Sequence, residues 1–306
     1  MNKKIITALL TLLLVLTSTT LINKASAEEK PATVAILDTA IDSTLPIFKD
    51  KLVYEVCILA FNSCPNKKNF MEGPGSALLP LNHLSKNGFD HGTQMASILI
   101  NENPNINFVF VRIIGNTISG DRQLTPESTI SNALNWVENN RLKFNIQAVT
   151  MSQGHHNLLN SVNYCPKTNN TDLAVSRLKS VGVPVFFPAG NGRDYKRIDW
   201  PACLPNSVAV GGSSREDEIA SFGNYDNNLI DFFAPAYRTA YLPGGKTINA
   251  AGTSVSVQVA AAQWLKIKSL KPNEDTYSLI LLKAKNIVGI NGMFGKMIDL
   301  EASLNG

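Results

Sequence analysis

After residue 27 the chain has no apolar run approaching the ~20 residues that a membrane-spanning helix needs. It has no C-x-x-C pair, and none of its few histidines stands at ligand spacing from Cys57, Cys64, Cys165 or Cys203. That combination counts against a zinc site. There is no low-complexity linker, no block of like charge and no internal repeat. Nor is there a net charge of consequence. Of 28 basic side chains, Lys3, Lys4 and Lys24 lie in the first 27 residues, which hold no acidic residue, so 25 remain against 24 acidic ones. Composition therefore gives no case for a nucleic-acid or anionic-membrane partner.

What is there begins with export. Lys3 and Lys4 precede an apolar run from Ile5 to Leu16, broken only by Thr7 and Thr11, and Ala25-Ser26-Ala27 is a small-residue cleavage signal. Residues 1–27 read as a cleaved, Sec-type secretory signal peptide, which predicts a secreted or periplasmic protein starting near Glu28 and no membrane contact after cleavage. Residues 28–306 read as a single domain, and a composition 44% hydrophobic supplies one large core. In an exported protein four cysteines point to two disulfides, and three pairings are open. Cys57–Cys64 would close a small loop, and Cys165–Cys203 would then join two distant ones.

The first strand candidate, Thr33-Val-Ala-Ile-Leu37, is apolar and ends in Asp38. Further strands are expected over Leu52–Phe61, Asn107–Ile114, Ile146–Met151, Val183–Phe187, Ser207–Val210 and Ile230–Phe233. Helices are expected over His91–Ile100, Thr125–Asn140, Thr171–Val181 and near 252–268 and 273–285. Between Asn62 and about Asn87 runs a polar, Gly/Pro/Asn-rich insert. Short apolar strands alternating with helices predict a mostly parallel sheet covered on both faces. Ligands of such sheets sit beyond the carboxyl ends of the strands. Asp38, Ser152-Gln153-Gly154 and Pro188-Ala189-Gly190-Asn191 should therefore gather on one edge.

That edge holds the parts of a nucleophilic serine site. A serine hydroxyl is a poor nucleophile until a base stands within hydrogen-bond reach, and the base needs an orienting carboxylate. Ser254 at a helix start, His91 and Asp38 supply the three. Asn191 offers a side-chain N–H and Ser254 its backbone N–H to an oxyanion, where losing one donor costs ~10²–10³ in turnover. Each has a plainer role: Ser254 as helix N-cap, Asp38 or Asn191 as turn residue, His91 as an ordinary first-turn residue.

Val34-Ala-Ile-Leu-Asp38-Thr-Ala-Ile-Asp42, His91-Gly-Thr-Gln-Met-Ala96 and Gly252-Thr-Ser254 resemble the three catalytic motifs of the subtilisin-like serine proteases, the subtilases. Pro188-Ala-Gly-Asn191-Gly192 resembles the family's oxyanion loop. Ser119-Gly120-Asp121 resembles its substrate-binding edge strand, and Met151-Ser152-Gln153-Gly154 the strand facing it across the peptide. Later landmarks match at 200–211, 221–235 and 292–302. The resemblance implies a three-layer α/β subtilisin-like fold and a secreted serine endopeptidase, with Asp38, His91, Ser254 and Asn191 as catalytic residues. It implies a protein or peptide substrate bound as an extended strand by residues 119–121, 152–154, Ala189 and Gly190.

No cofactor is required for such chemistry. Structural calcium is possible by the resemblance, but no ligand is assigned. Ala40, Val255-Ser256 and Gln258 depart from the family's usual Gly, Met-Ala and Pro. His155 and His156 are expected in a solvent-exposed loop. Secreted relatives commonly carry a propeptide, for which Glu28–Ala32 leaves no room, so a folding helper or protein partner is expected. Two alternatives remain: a non-catalytic relative that only binds peptides, and an acyl hydrolase, which Gly252-Thr-Ser-Val-Ser, lacking the form G-x-S-x-G, does not favour.

Overall fold

Alternation inside the strands explains the layers. In β1 (Thr33–Asp38), Val34 and Ile36 face one apolar cluster while Ala35 and Leu37 face another. In β4 (Asn107–Arg112), Phe108 and Phe110 join the first cluster, and Val109 and Val111 the second. Successive side chains of a strand point to opposite faces, so strands apolar throughout must be covered on both. One face carries helices α2 (His91–Glu102) and α5 (Thr253–Leu270), and the other carries α3 (Glu127–Asn140) and α4 (Asn170–Ser180). The protein is a three-layer α/β structure.

The computed structural model describes residues 30–86, 88–123, 125–155, 165 and 170–305. The expected signal peptide and His156 lie outside them. Residues from Pro31 onward form one compact unit.

The sheet adds β2 (Leu52–Ile58), β3 (Phe70–Glu72), β5 (Ile146–Met151), β6 (Val185–Pro188), β7 (Val208–Ser213) and β8 (Phe232–Pro235), with β11 (Lys285–Val288) and β12 (Phe294–Met297) at one end. Its order is β11-β12-β8-β7-β6-β5-β1-β4-β2-β3. From β12 to β2 neighbours run parallel, while β3 and β11 are antiparallel edges. The chain crosses from one side of β1 to the other between β4 and β5. That is the topological switch point at which such sheets open a crevice. The carboxyl ends of β1, β5 and β6 are neighbours there.

The hairpin β9 (Tyr237–Tyr241) and β10 (Thr247–Ala251) stands outside this sheet and leads into α5. It does not show in the sequence pattern because β10 is exposed at all but one position. The polar insert after β2 contains β3 and a short helix, α1 (Leu81–Leu84). Helices α6 (Thr276–Lys283) and α7 (Leu300–Asn305) complete the chain. No helix of the described residues is long and apolar enough to cross a membrane.

Cysteines pair as Cys57–Cys64 and Cys165–Cys203. The second joins the chain ahead of α4 to the loop after β6, across a separation of 38 residues. Replacing both Cys165 and Cys203 by serine is expected to lower unfolding free energy by about 2–4 kcal/mol, chiefly by freeing the unfolded chain. Urea unfolding of the two proteins measures it.

Candidate active site

The D-T and H-G dipeptides meet where β1 ends and α2 begins. Asp38, fully buried, accepts a hydrogen bond from its neighbour Thr39 N–H at 2.7 Å. Its two oxygens lie 2.8 and 3.1 Å from His91 Nδ1. An ionised carboxylate can only accept, so Nδ1 carries the proton and Nε2 is left as the basic nitrogen. Thr39 Oγ1 accepts from Gly92 N–H at 2.9 Å, tying the same strand end to the start of the helix. A Cβ at Gly92 would come within 2.3 Å of the Ala40 carbonyl oxygen and 2.6 Å of Phe110. Glycine is thus what lets α2 come close enough for the imidazole to reach Asp38.

Ser254 is the second residue of α5. Gly252 is the N-cap, with φ of 143°, a conformation that favours glycine. Ser254 Oγ donates to the Ser152 carbonyl at 3.2 Å, so it does not cap the helix, and it makes no hydrogen bond to His91 in this state. The Ser254 N–H is among the first helical N–H groups, which have no intrahelical acceptor. Asn191 serves the helix start instead: its Oδ1 accepts from Thr253 N–H at 2.9 Å and from Thr253 Oγ1 at 3.1 Å. With the amide oxygen fixed this way, the exposed Asn191 presents its NH₂.

His91, Ser152, Gln153, Gly154, Pro188, Gly190, Asn191 and Ser254 line one cleft of ≈ 340 Å³, with Arg122 and Asp199. Asp38 lies buried behind His91. Ala189 is fully buried and is not on the cleft lining; its carbonyl accepts from the Asp199 N–H at 2.8 Å. Residues 119–121 are not brought to the cleft. They form a turn, closed by Gly120 N–H to Thr117 O at 3.0 Å, inside a loop bridged at Asn116 and Arg122. Their short polar side chains bond one another: Ser119 Oγ donates to Asp121 Oδ2 at 2.7 Å. The expected edge strand at 119–121 is therefore corrected to a turn, and Arg122 is the residue of that loop that reaches the site.

Arg122 donates to Gln153 Oε1 at 2.5 Å. The Gln153 amide nitrogen in turn lies 3.3 Å from Asp38 Oδ1 and from His91 Nδ1. Gln153 thus covers the carboxylate–imidazole pair from the cleft side. The base of the Arg122 loop is held by Arg112, fully buried, whose guanidinium donates to Ile114 O, Leu78 O and Asn116 Oδ1. Burial lowers the Arg112 pKa to about 10.

His155 is not in a solvent loop. Its N–H donates to Trp200 O at 2.8 Å, and its ring lies 5.8 Å from the Trp200 ring. Burial pushes the imidazole below its usual pKa, while the nearby Asp199 carboxylate pulls it up. Among the described residues no group of three or more His, Cys, Asp or Glu converges on one point.

Ala40 stands beside Gly92, and the other departures from the usual pattern lie on α5 beyond Ser254. Gln258, fully buried on α5, donates to Ser152 Oγ at 2.9 Å and accepts from Thr150 Oγ1 at 3.2 Å. Ser152 Oγ donates on to the Ser254 carbonyl at 3.1 Å. A polar chain thus runs through the core from β5 to the helix carrying Ser254. Ser256 is fully buried and off the cleft, so it is no second nucleophile.

The chain matches the model of the subtilase family over residues 29–295. It belongs to that family. A subtilisin-like protease of Coccidioides posadasii is 27% identical over 150 residues, 48% of this chain and 35% of that protein. The alkaline protease of Alkalihalobacillus alcalophilus is 26% identical over 243 residues, 75% of this chain and 58% of that one. The chain thus spans between about a third and three-fifths of the length of these relatives. Among solved structures, a protease of Pseudoalteromonas arctica superposes with a TM-score of 0.70 at 20% identity, covering 90% of each chain. The subtilisin-like three-layer fold is shared.

Gln258→Leu takes the acceptor from the buried Thr150 hydroxyl and one of two partners from the Ser152 hydroxyl, which keeps the Ser254 carbonyl, and is expected to cost about 1–3 kcal/mol of stability. The double variant with Thr150→Val should recover part of that loss, read by chemical denaturation. For His155, a folded pKa below the unfolded one means the unfolded chain binds more protons. Stability should therefore rise with pH just below the ordinary histidine value of about 6.5. Melting temperatures of the chain and of His155→Gln across that window test it, the variant giving the flatter slope.

Proposed function

We propose that the chain is a secreted serine endopeptidase. The observation that carries this reading is the buried Asp38 carboxylate against His91 Nδ1, with His91, Asn191 and Ser254 on one cleft. Rotation of the Ser254 side chain away from the Ser152 carbonyl brings Oγ toward His91 Nε2. Hydrogen bonds between nucleophile and base are commonly loose without substrate and tighten when it binds. His91 takes the Ser254 proton as Oγ bonds to the peptide carbonyl carbon. Asp38 holds the tautomer and stabilises the imidazolium. The Asn191 NH₂ and the Ser254 N–H receive the oxyanion.

The C–N bond then breaks, and His91 gives its proton to the departing amine. Water adds to the acyl-enzyme with His91 again as base, and cleavage of the ester returns the proton to Ser254 Oγ. No step draws on a metal or cofactor. The substrate is an extended peptide lying along 152–154. The N-terminal residues 1–27 are the export signal in this reading.

A fluorophosphonate probe tests it on the full chain. Stoichiometric labelling, lost in Ser254→Ala together with peptide hydrolysis, is the expected result. An unlabelled chain, or equal labelling of Ser254→Ala, refutes catalysis and leaves a peptide-binding relative.

A further inference from the structure

Among the described residues Arg122 is a cation on the cleft with no carboxylate partner. Its side chain is exposed beside His91 and Gln153. A guanidinium carries five N–H donors, and Nη2 spends one of them on Gln153 Oε1 at 2.5 Å. The adjacent Asp121 accepts from Ser119 Oγ. The Asp38 carboxylate is buried behind His91 and bonded to it, so it does not compete for Arg122.

The charge is also held in place. A Cβ built on Gly88 would lie 3.3 Å from Arg122 Nη1. The guanidinium therefore rests between Gly88, three residues ahead of His91, and Gln153, whose amide nitrogen touches His91. At the base of the loop Arg122 is bridged to Asn116, and the fully buried Arg112 donates to Asn116 Oδ1 at 2.7 Å. A long side chain already ordered loses little freedom when it meets a ligand.

We infer that Arg122 selects substrates carrying an acidic side chain at the second or fourth residue before the scissile bond. The inference rests on the endopeptidase reading and names its substrate class. Successive side chains of an extended peptide point to opposite faces. With the attacked carbonyl at Asn191 and Ser254, the side chain of the residue that supplies it enters the recess between 152–154 and 188–191. The second and fourth side chains then turn to the other face, where His91, Gln153 and Arg122 stand. A carboxylate there accepts charge-assisted hydrogen bonds from the remaining guanidinium N–H groups, whose fork suits two parallel bonds. An amide keeps a hydrogen bond without the charge, and a lysine or arginine meets a like charge.

Cleavage of a peptide library by the full chain should favour glutamate over glutamine by about tenfold in kcat/KM at the second or fourth residue before the cut, and over lysine by more. Added salt should shrink that preference through screening. A preference indifferent to salt, or none for an acid at either position, overturns the inference. Arg122→Gln keeps an N–H for Gln153 Oε1 and should bring the glutamate-to-glutamine ratio to within about twofold of unity, while Arg122→Glu should turn the preference toward lysine. A role confined to holding the loop would lower all substrates together. An unchanged ratio in either variant therefore refutes selection by charge.

A binding measurement keeps the two readings apart. Ser254→Ala chain is titrated by calorimetry with the acetylated and amidated hexapeptide Ala-Glu-Ala-Glu-Ala-Glu and with its glutamine counterpart. The alternation lets either peptide turn every second side chain toward Arg122. The glutamate peptide should bind about tenfold more tightly, and the difference should vanish when Arg122→Gln is added. Equal affinities, or a difference that survives Arg122→Gln, refute the role of Arg122. A difference lost with Arg122→Gln, in a chain whose unsubstituted form hydrolyses no peptide, supports that role and rejects only the endopeptidase reading.

Discussion

A carboxylate removed from water is the constraint on which the rest of the structure depends. Burying an ionised group is costly unless hydrogen bonds and an opposite charge replace its hydration. Asp38 meets that demand with Thr39 N–H, His91 Nδ1 and the Gln153 amide, drawn from β1, α2 and the segment after β5. Each partner comes from a different stretch of chain. The carboxylate is satisfied only when strand, helix and loop are all docked, so assembly of the site and completion of the core are one event.

The second organising relation lies at the head of α5. Asn191 lends its oxygen to the helix start, and Gly190 N–H donates to Thr253 Oγ1 at 3.2 Å. The loop after β6 and the helix bearing Ser254 thereby fix one another. A single asparagine serves both ends of its amide, the oxygen for architecture and the nitrogen for the cleft.

Much of this was legible in the sequence. Strands buried on both faces read as unbroken apolar runs, and β1, β4 and β5 follow their expected positions closely. The strand-end rule places Asp38, Ser152–Gly154 and Pro188–Asn191 on one edge from the sequence alone. The edge strands and the β9–β10 hairpin escaped because partly exposed strands carry no such run. The 119–121 segment was expected to be extended, but its Ser-Gly-Asp composition closes a turn through side-chain bonds. Asp199 could not be placed because its setting is made by Gly154 and Gly190, distant in sequence and informative only for what they lack. Gln258 was visible as a departure from the family's pattern. Its partners Thr150 and Ser152 lie more than a hundred residues earlier.

Ser152 binds Ser254 twice, through its carbonyl to the Ser254 hydroxyl and through its hydroxyl to the Ser254 carbonyl. This residue is also the first of the cleft wall along which a peptide would lie. In the proposed reaction the Ser254 hydroxyl leaves the Ser152 carbonyl, but the bond from the Ser152 hydroxyl to the Ser254 carbonyl remains and keeps the wall tied to the backbone at the helix start. A bulky side chain that pushes the wall outward would drag that helix start with it. On that reading, fit in the pocket reaches the position of Ser254, so a poorly fitting peptide would lose turnover as well as affinity.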